Sequence, residues 1–367
     1  EESVRMMAQV CTTPVTRDEL ATVQALIESE NIYQRETVQG LARKLGFYEA
    51  SGGGIEREAR YYERIAELTV GDIREVAERY FDWRRFTATA LMPEGTGFTR
   101  EDVEDIVDRV LVEAPRPPPS RAPRPKAPAP MRVTTPLRAK GGTSEVIVEE
   151  LPCGATLLVR EESAVPLFAL RAAFLGGLRY ETPRTNGLTT LLSRTLIRGT
   201  PTRDAVEIAH LIDELAGALS ANSGRNSITL RGEFLSRHFE RAFDLFCDVL
   251  LNATFPEPEL TRERQLLLQD ILTREDKPSG VAFDLFARTL YQSHPYRMSM
   301  LGDRGAVERL TREELIAFHR GYMDPSQMVL SVVGDVRATE VIAMAREAFG
   351  KGRGSTLPPA EVALDPP

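Results

Sequence analysis

The sequence predicts an α+β protein made of tandem two-layer modules, in which helices pack on mainly antiparallel sheets. Three observations carry this prediction. The chain has 367 residues and an apolar fraction of 42%, which is sufficient for packed cores in two or three domains. Amphipathic runs with helical spacing alternate with short apolar runs that are typical of strands. One helix-then-strand unit occurs twice, which indicates two related modules.

The repeated unit aligns residues 68–92 with residues 310–334 without a gap. In each copy a threonine, Thr69 or Thr311, is followed three residues later by an acid, which is the pattern of a capping box. An amphipathic helix, a turn and an apolar strand come next in both copies. We therefore expect the two modules to share this supersecondary unit.

The region before residue 98 has the periodicity of helices over 16–46 and 55–80, and a short acidic helix is expected over 99–111. Three glycines at 52–54 separate the first two runs. They lack the preceding strand and the lysine of a phosphate-binding loop, so they predict a turn.

After residue 143 the pattern predicts a meander of strands followed by helices, with a later strand between them. The strands expected there cover 145–150, 156–160, 166–175 and 227–233, and the helices cover 186–200, 204–216, 239–251 and 257–273.

Residues 115–136 form a proline-rich segment with scattered arginine and lysine. This composition favours an extended polyproline II spacer between the two halves. Its P-x-x-P spacings are also compatible with an SH3-type partner, but composition favours the spacer.

Charge and cysteine usage exclude several classes of protein. The net charge of -8 and a sequence pI near 5.4 argue against nucleic acid or an anionic membrane as the main partner. Cys11, Cys153 and Cys247 are far apart and predict neither a disulfide framework nor a structural zinc site.

No apolar run is long enough to span a membrane. The chain begins without methionine, so the sequence does not decide whether a signal segment precedes Glu1.

The most informative segment is NGLTTLLSRTLIRGT, residues 186–200, whose leucines recur at helical spacing. It resembles the zinc helix of the pitrilysin or insulinase type of metallopeptidase, G-L-x-H-x-x-E-H-x-x-x-x-G-T. On that frame Thr190, Ser193 and Arg194 occupy the positions of the first histidine, the glutamate base and the second histidine. Hydroxyls and a permanent cation are poor substitutes for imidazole ligands, so we expect no zinc and no catalytic residue here.

Residues 261–272 resemble the family's second helix, which carries the third zinc ligand, a glutamate. Asp270 falls at the ligand position and Glu263 lies on the same helical face. We hypothesise that the guanidinium of Arg194 occupies the place of the ion and pairs with Asp270, with Glu263 as a second possible partner. The alternative is that both charges are simply solvated surface groups.

Other segments extend the resemblance. Gly176-Gly177 with Tyr180-Glu181 resembles the approach to the zinc helix, and His294-Pro295-Tyr296 resembles a segment that follows the long helices. The resemblance implies that residues 1–97 are the rear part of a first module and 143–355 the front part of a second. Residues 98–142 would be a short helix and linker, and 356–367 the start of a connection to the next domain.

The resemblance implies a non-catalytic portion of a zinc-dependent endopeptidase that helps to enclose extended, unfolded peptides by strand addition to a sheet edge. Zinc is expected in a missing catalytic module, upstream in the same chain or in a partner subunit. The family's substrate-binding arginine and tyrosine pair would lie outside these residues, and an exported location is slightly favoured over a cytoplasmic one.

Two other functions stay open. One is a non-enzymatic scaffold or peptide-holding protein of the same fold. The other is an unrelated hydrolase that uses Ser193 with His210 or His294, but the G-x-S-x-G turn of such enzymes is missing from the sequence.

Overall fold

The computed structural model describes residues 15–81, 99–113 and 145–350, together with residues 5–6, 9–11, 13, 87, 89, 95 and 97. The chain divides into two compact units, Glu1–Pro136 and Leu137–Pro367. The proline-rich segment 115–136, most of the first strand expected at 86–92 and the end at 356–367 lie outside the described residues. None of the described helices is both long enough and apolar enough to cross a membrane.

The described part of the first unit is helical, as its periodicity predicts. A glycine-containing turn follows the second helix, in agreement with the prediction for 52–54. The helices are α1 (Arg17–Glu36), α2 (Val38–Ala50), α3 (Glu56–Glu67), α4 (Val70–Tyr80) and α5 (Arg100–Glu113).

The second unit contains a six-stranded mixed sheet in the order β1-β2-β6-β3-β5-β4. Neighbouring strands are antiparallel except for β2 and β6, which run parallel. The strands are β1 (Ile147–Glu150), β2 (Thr156–Glu161), β3 (Leu167–Leu175), β4 (Ala218–Ser223), β5 (Ser227–Leu235) and β6 (Val329–Gly334). The α+β prediction with a mainly antiparallel sheet is confirmed.

The helices of the second unit bury one face of the sheet. Alternate residues of β3, from Phe168 to Phe174, point into a core that also holds Leu192, Phe246 and Val341 from three helices. This arrangement follows from the two-residue period of a strand and the apolar stripe of each helix. The helices are α6 (Leu188–Thr195), α7 (Ala205–Glu214), α8 (Phe239–Asn252), α9 (Glu257–Glu275), α10 (Pro278–Leu290), α11 (Arg304–Arg309), α12 (Arg312–Tyr322) and α13 (Ala338–Ala348).

The helix of the repeated unit forms in both units. Helices α4 and α12 have 11 residues each, and each begins with a complete capping box, from Thr69 in one and Thr311 in the other. In the second unit the following residues form β6, which lies in the interior of the sheet between β2 and β3. The predicted helix-then-strand order is therefore present where the structure describes both parts.

The meander predicted for the first three strands is wrong. Strand β6, which is distant in sequence, inserts between β2 and β3. It pairs parallel with β2 from Thr156↔Val329 onward and antiparallel with β3. Sequence order alone cannot show such an insertion, because neighbouring strands in the chain need not be neighbours in the sheet.

Strand β4 and the helices α10, α11 and α13 have no counterpart among the predicted elements. Half of the residues of Ala218–Ser223 are polar and all except Leu219 are small, and they are extended because each pairs with a residue of β5. The helix predicted over 186–200 is also shorter, since it ends at Thr195. Gly199 then forms an isolated bridge with Asp204.

Candidate functional site

Helix α6, which carries the three altered motif positions, is held firmly in the core. Gly187 precedes it with a left-handed φ of 104°, a conformation that glycine adopts without strain. A Cβ at this position would meet Val307 Cγ2 at 2.5 Å, so only glycine fits here. Leu188, Leu191 and Leu192 are buried against the sheet. The helix is therefore positioned by packing that needs no metal ion.

Glu181 anchors the amino end of α6. Its carboxylate accepts hydrogen bonds from Asn186 Nδ2, the Gly187 N–H, the Thr189 N–H and Thr189 Oγ1, at 2.6 to 2.9 Å. Burial raises the pKa of Glu181, and these hydrogen bonds oppose the rise. Ser223 Oγ donates to Thr189 Oγ1 at 2.7 Å, which ties the end of β4 to α6. The resemblance includes Glu181, but no sequence pattern predicts its hydrogen bonds with Thr189 or the hydrogen bond between Thr189 and Ser223 of β4.

The hydroxyls at two of the motif positions are engaged with the backbone. Thr190 Oγ1 donates to the Met300 carbonyl oxygen at 2.9 Å, and Ser193 Oγ donates to the Thr190 carbonyl oxygen at 2.9 Å. Ser193 is buried, with 5% of its surface exposed. Both hydroxyl protons are thus directed to carbonyl groups.

Arg194 and Asp270 form an ion pair between α6 and α9. The Arg194 Nη2 atom lies 2.6 Å from Asp270 Oδ2. The pair is partly open to solvent, because the side chain of Asp270 is 53% exposed and that of Arg194 is 26% exposed. This contact agrees with the hypothesis that Arg194 pairs with Asp270.

Glu263 pairs with a different arginine from the one considered in the sequence. Its Oε1 atom lies 3.1 Å from Arg198 Nε and 3.0 Å from Arg198 Nη2. The side chain of Glu263 is only 7% exposed. Arg198 lies beyond the end of α6 at Thr195, and it reaches a residue of α9 that precedes Asp270 by seven positions. The second possible pairing, of Arg194 with Glu263, is therefore wrong.

The side chains present at this place do not fit zinc. Zinc requires thiolate, imidazole or carboxylate ligands in a tetrahedral set, whereas Arg194 brings a guanidinium charge next to the one suitable acid, Asp270. Within the described parts of the chain, no group of three or more His, Cys, Asp or Glu side chains is arranged to hold a metal ion.

The serine-hydrolase alternative has no geometric support at Ser193. The Ser193 hydroxyl donates to the backbone rather than to an imidazole. The Nδ1 atom of His294 accepts the N–H of Tyr296 at 3.1 Å in a short turn. His210 is exposed on α7. These contacts give Ser193 no general base.

Strand β4 lies at the end of the sheet directly beside α6. Among the described strands only β5 pairs with it. Ala218, Ser220 and Asn222 are exposed, and Ser223 bonds to α6 through Thr189. A strand with one unpaired edge offers backbone N–H and carbonyl groups to another extended segment. Within the site, the edge of β4 is the part suited to bind another extended segment through backbone hydrogen bonds.

Comparison with known proteins places this architecture in a family. Residues 168–304 match the family model described as insulinase, peptidase family M16. Residues 309–367 match the model described as the peptidase M16 inactive domain.

Bacterial relatives show the same likeness. A protein of Streptomyces coelicolor named an uncharacterized zinc protease is 30% identical over 240 residues, which are 64% of this chain and 51% of that protein. One of Mycobacterium leprae with the same description is 33% identical over 199 residues, or 52% of this chain and 45% of that protein. The chain spans about half the length of these curated relatives.

Solved structures agree. The peptidase M16 inactive domain from Pseudomonas fluorescens superposes with a TM-score of 0.56 at 25% identity, covering 60% of this chain and 53% of that one. A protease from Helicobacter pylori has the same fold, with a TM-score of 0.55 at 19% identity and coverage of 60% and 53%. Through residues 168–304 and 309–367, the chain therefore belongs to peptidase family M16, the insulinase family, and its described second unit shares the fold of a solved M16 inactive domain.

Proposed function

We propose that this chain is the non-catalytic portion of a zinc-dependent endopeptidase, in which it helps to enclose and bind extended, unfolded peptides. Zinc and catalysis come from another module, upstream in the same protein or in a partner subunit. In this proposal residues 1–97 and 143–355 are parts of two successive modules, joined by the segment 98–142. The zinc-protease names of the relatives support the assignment to a peptidase.

The observation that carries the proposal is the combination of an altered zinc helix with an available strand edge. Helix α6 lies beside the sheet, and it carries Thr190, Ser193 and Arg194 at the positions that the resemblance assigns to the first histidine, the glutamate base and the second histidine. Strand β4 runs beside it and pairs, among described strands, with β5 alone. An extended peptide that adds to β4 is held by backbone hydrogen bonds, so its side chains can vary.

Alternate N-methylation of a bound peptide tests this binding mode. A fluorescent ten-residue peptide without proline is compared with two forms in which every second amide is methylated, in opposite phases. A strand that pairs on one side directs alternate N–H groups to its partner. We expect one phase to weaken binding at least about tenfold, because several hydrogen bonds worth about 1 kcal/mol each are lost, while the other phase has little effect. Equal affinity of both methylated forms with the parent peptide would contradict strand addition.

The catalytic part of the proposal is tested on the full-length protein beside this chain. Zinc content by metal analysis and cleavage of fluorogenic peptides are measured for both, with zinc supplied. We expect zinc and cleavage in the full-length protein only. Cleavage by this chain alone would rule out a non-catalytic role. If neither protein cleaves but both bind peptides, the peptide-holding scaffold becomes the better assignment.

A further inference from the structure

A second surface feature lies near the turn that follows β4, and strand addition to β4 does not explain it. An open cleft of about 480 Å³ is formed by the carboxyl end of α9, by α10 and by the segment that leads into α11. Its wall carries four arginines, Arg274, Arg288, Arg297 and Arg304. Guanidinium groups in a concave surface are suited to recognise carboxylates, because they present several fixed N–H donors.

Two of the four arginines are already neutralised. Arg274 holds Asp284 in a two-pronged contact, with Nε–Oδ2 at 3.0 Å and Nη2–Oδ1 at 2.8 Å. This hydrogen bonding to Asp284 raises the pKa of Arg274. Arg304 pairs with Glu308 one turn along its own helix, with Nε–Oε1 at 3.3 Å. These two side chains build the wall of the cleft but are not available to a ligand.

Arg288 and Arg297 remain available. Neither forms an ion pair with any carboxylate that the structure describes, and both are exposed. Arg297 is oriented by its Nη1 atom, which donates to the Gln292 carbonyl oxygen at 2.5 Å. The two guanidinium groups come from different elements and line the same cleft. They are the cations that an incoming anion would meet.

The acidic residues of the cleft limit the class of anion. Glu275 and Asp303 also line it, and Asp303 Oδ1 accepts the Ala306 N–H as the cap of α11. A polyphosphate or a nucleic acid would be repelled by these carboxylates. A single carboxylate close to Arg288 and Arg297 avoids that repulsion. The lining therefore favours a carboxylate ligand over a polyanion.

An apolar strip adjoins the available arginines. Val281 and Leu285 precede Arg288 by seven and three residues on α10, so the three side chains lie along one stripe of the helix. Val281 is 49% exposed and Leu285 is 65% exposed. Exposed apolar side chains grouped beside a polar site are typical of a binding surface. A ligand that carries an apolar group next to its carboxylate would contact both.

The cleft is connected to the end of β4. The turn after β4 contains Asn226, whose Oδ1 atom accepts a hydrogen bond from Tyr296 Oη at 2.7 Å. Arg225 of the same turn lies over the ring of Tyr296, 5.1 Å from its centroid. The next residue after Tyr296 is Arg297 in the cleft wall. A peptide that follows β4 past its last residue is thus led toward the arginines.

We propose that this cleft is a carboxylate subsite for the bound peptide, which Arg288 and Arg297 recognise together with an adjacent apolar residue on Val281 and Leu285. The carboxylate belongs either to an acidic side chain or to the free carboxyl terminus of the peptide. This inference rests on the proposed peptide-binding function and adds a preference for acidic and apolar segments.

Three peptides with one shared apolar core test the subsite. The first has an internal glutamate and an amidated carboxyl terminus, the second has glutamine there and a free terminus, and the third has glutamine and an amidated terminus. Their dissociation constants are measured by fluorescence anisotropy with the unmodified chain, with the double variant Arg288→Gln/Arg297→Gln and with the control Arg171→Gln/Arg320→Gln. The control removes two exposed arginines that form no ion pair with a described residue and lie outside the cleft.

We expect the unmodified chain to bind at least one carboxylate-bearing peptide about tenfold more tightly than the third peptide, the scale of one charge-assisted contact. The peptide that gains identifies the source of the carboxylate. This difference should vanish in the cleft variant and persist in the control. Equal binding of all three peptides, or a difference that survives in the cleft variant, would overturn the subsite. If those peptides still lose affinity on N-methylation, strand addition stands and only the subsite fails.

Discussion

Two ion pairs reach α9, one from α6 and one from the turn that follows α6, and they differ sharply in their exposure to solvent. The outer pair, Arg194 with Asp270, occupies positions that the resemblance assigns to metal ligands, and its acid is 53% exposed. The inner pair, Arg198 with Glu263, uses an arginine beyond the end of α6, and its acid is 7% exposed. Exposed ion pairs contribute little to stability, whereas a buried acid depends strongly on its partner. The comparison indicates that the outer pair contributes little to stability and that the inner pair holds the turn after α6 to α9.

The largest expected effect comes from restoring metal ligands at the outer position. The triple variant Thr190→His/Ser193→Glu/Arg194→His removes the competing guanidinium and places two imidazoles one turn apart near Asp270. We expect it to bind zinc, and at a zinc concentration 100 times the dissociation constant the folded state gains about 2.7 kcal/mol. Calorimetric titration and thermal unfolding with and without zinc measure this.

The matched control for the restored site adds Asp270→Asn to the triple variant. We expect zinc affinity to fall markedly, because one carboxylate ligand is lost. If Asp270→Asn leaves the zinc affinity of the triple variant unchanged, Asp270 does not occupy the third ligand position.

Removing the inner arginine should have the next largest effect. Arg198→Ala leaves the buried carboxylate of Glu263 without its cation, and we expect a loss of about 2 kcal/mol in the free energy of unfolding. Urea denaturation measures it. The double variant Arg198→Met/Glu263→Leu removes both charges and should recover most of the loss. If the single variant is as stable as the parent chain, the inner pair does not hold the helices.

Breaking the outer pair should have the smallest effect. We expect Arg194→Ala, Asp270→Asn and their combination each to change the free energy of unfolding by less than about 1 kcal/mol, because both groups remain accessible to water. A double-mutant cycle at low and high salt gives the coupling energy, which should shrink as salt rises. A coupling larger than that of the inner pair would reverse the comparison.

Local sequence was sufficient for much of the fold. The capping boxes at Thr69 and Thr311 and the periodicity of α8 and α9 place helices within a residue or two of the observed bounds. The strand β6 was also expected, because its apolar run is bounded by turn residues. These signals are local, since a helix cap or a strand period involves residues close together in the chain.

The site was predicted only in part, for a physical reason. The pairing of Arg194 with Asp270 was predicted because the family resemblance assigns both residues to one zinc site, although they are far apart in the sequence. The resemblance assigned no partner to Arg198 and did not show that Ser223 reaches Thr189. Strand β4 escaped prediction as well, because its small polar residues have weak strand preference and depend on β5 for their extended form.

The sequence by itself determined most helices, most strands and the family resemblance. It also placed Thr190 and Arg194 at the positions that the resemblance assigns to two zinc ligands, and Ser193 at that of the glutamate base. Only the tertiary structure decided that β6 separates β2 from β3, that Glu263 pairs with Arg198, and that the turn after β4 contacts Tyr296, the neighbour of Arg297 in the arginine-lined cleft. The reason is that caps, periods and ligand types are properties of residues near one another in the chain. Strand order, ion-pair choice and cleft lining depend instead on which distant segments gain most by being buried together.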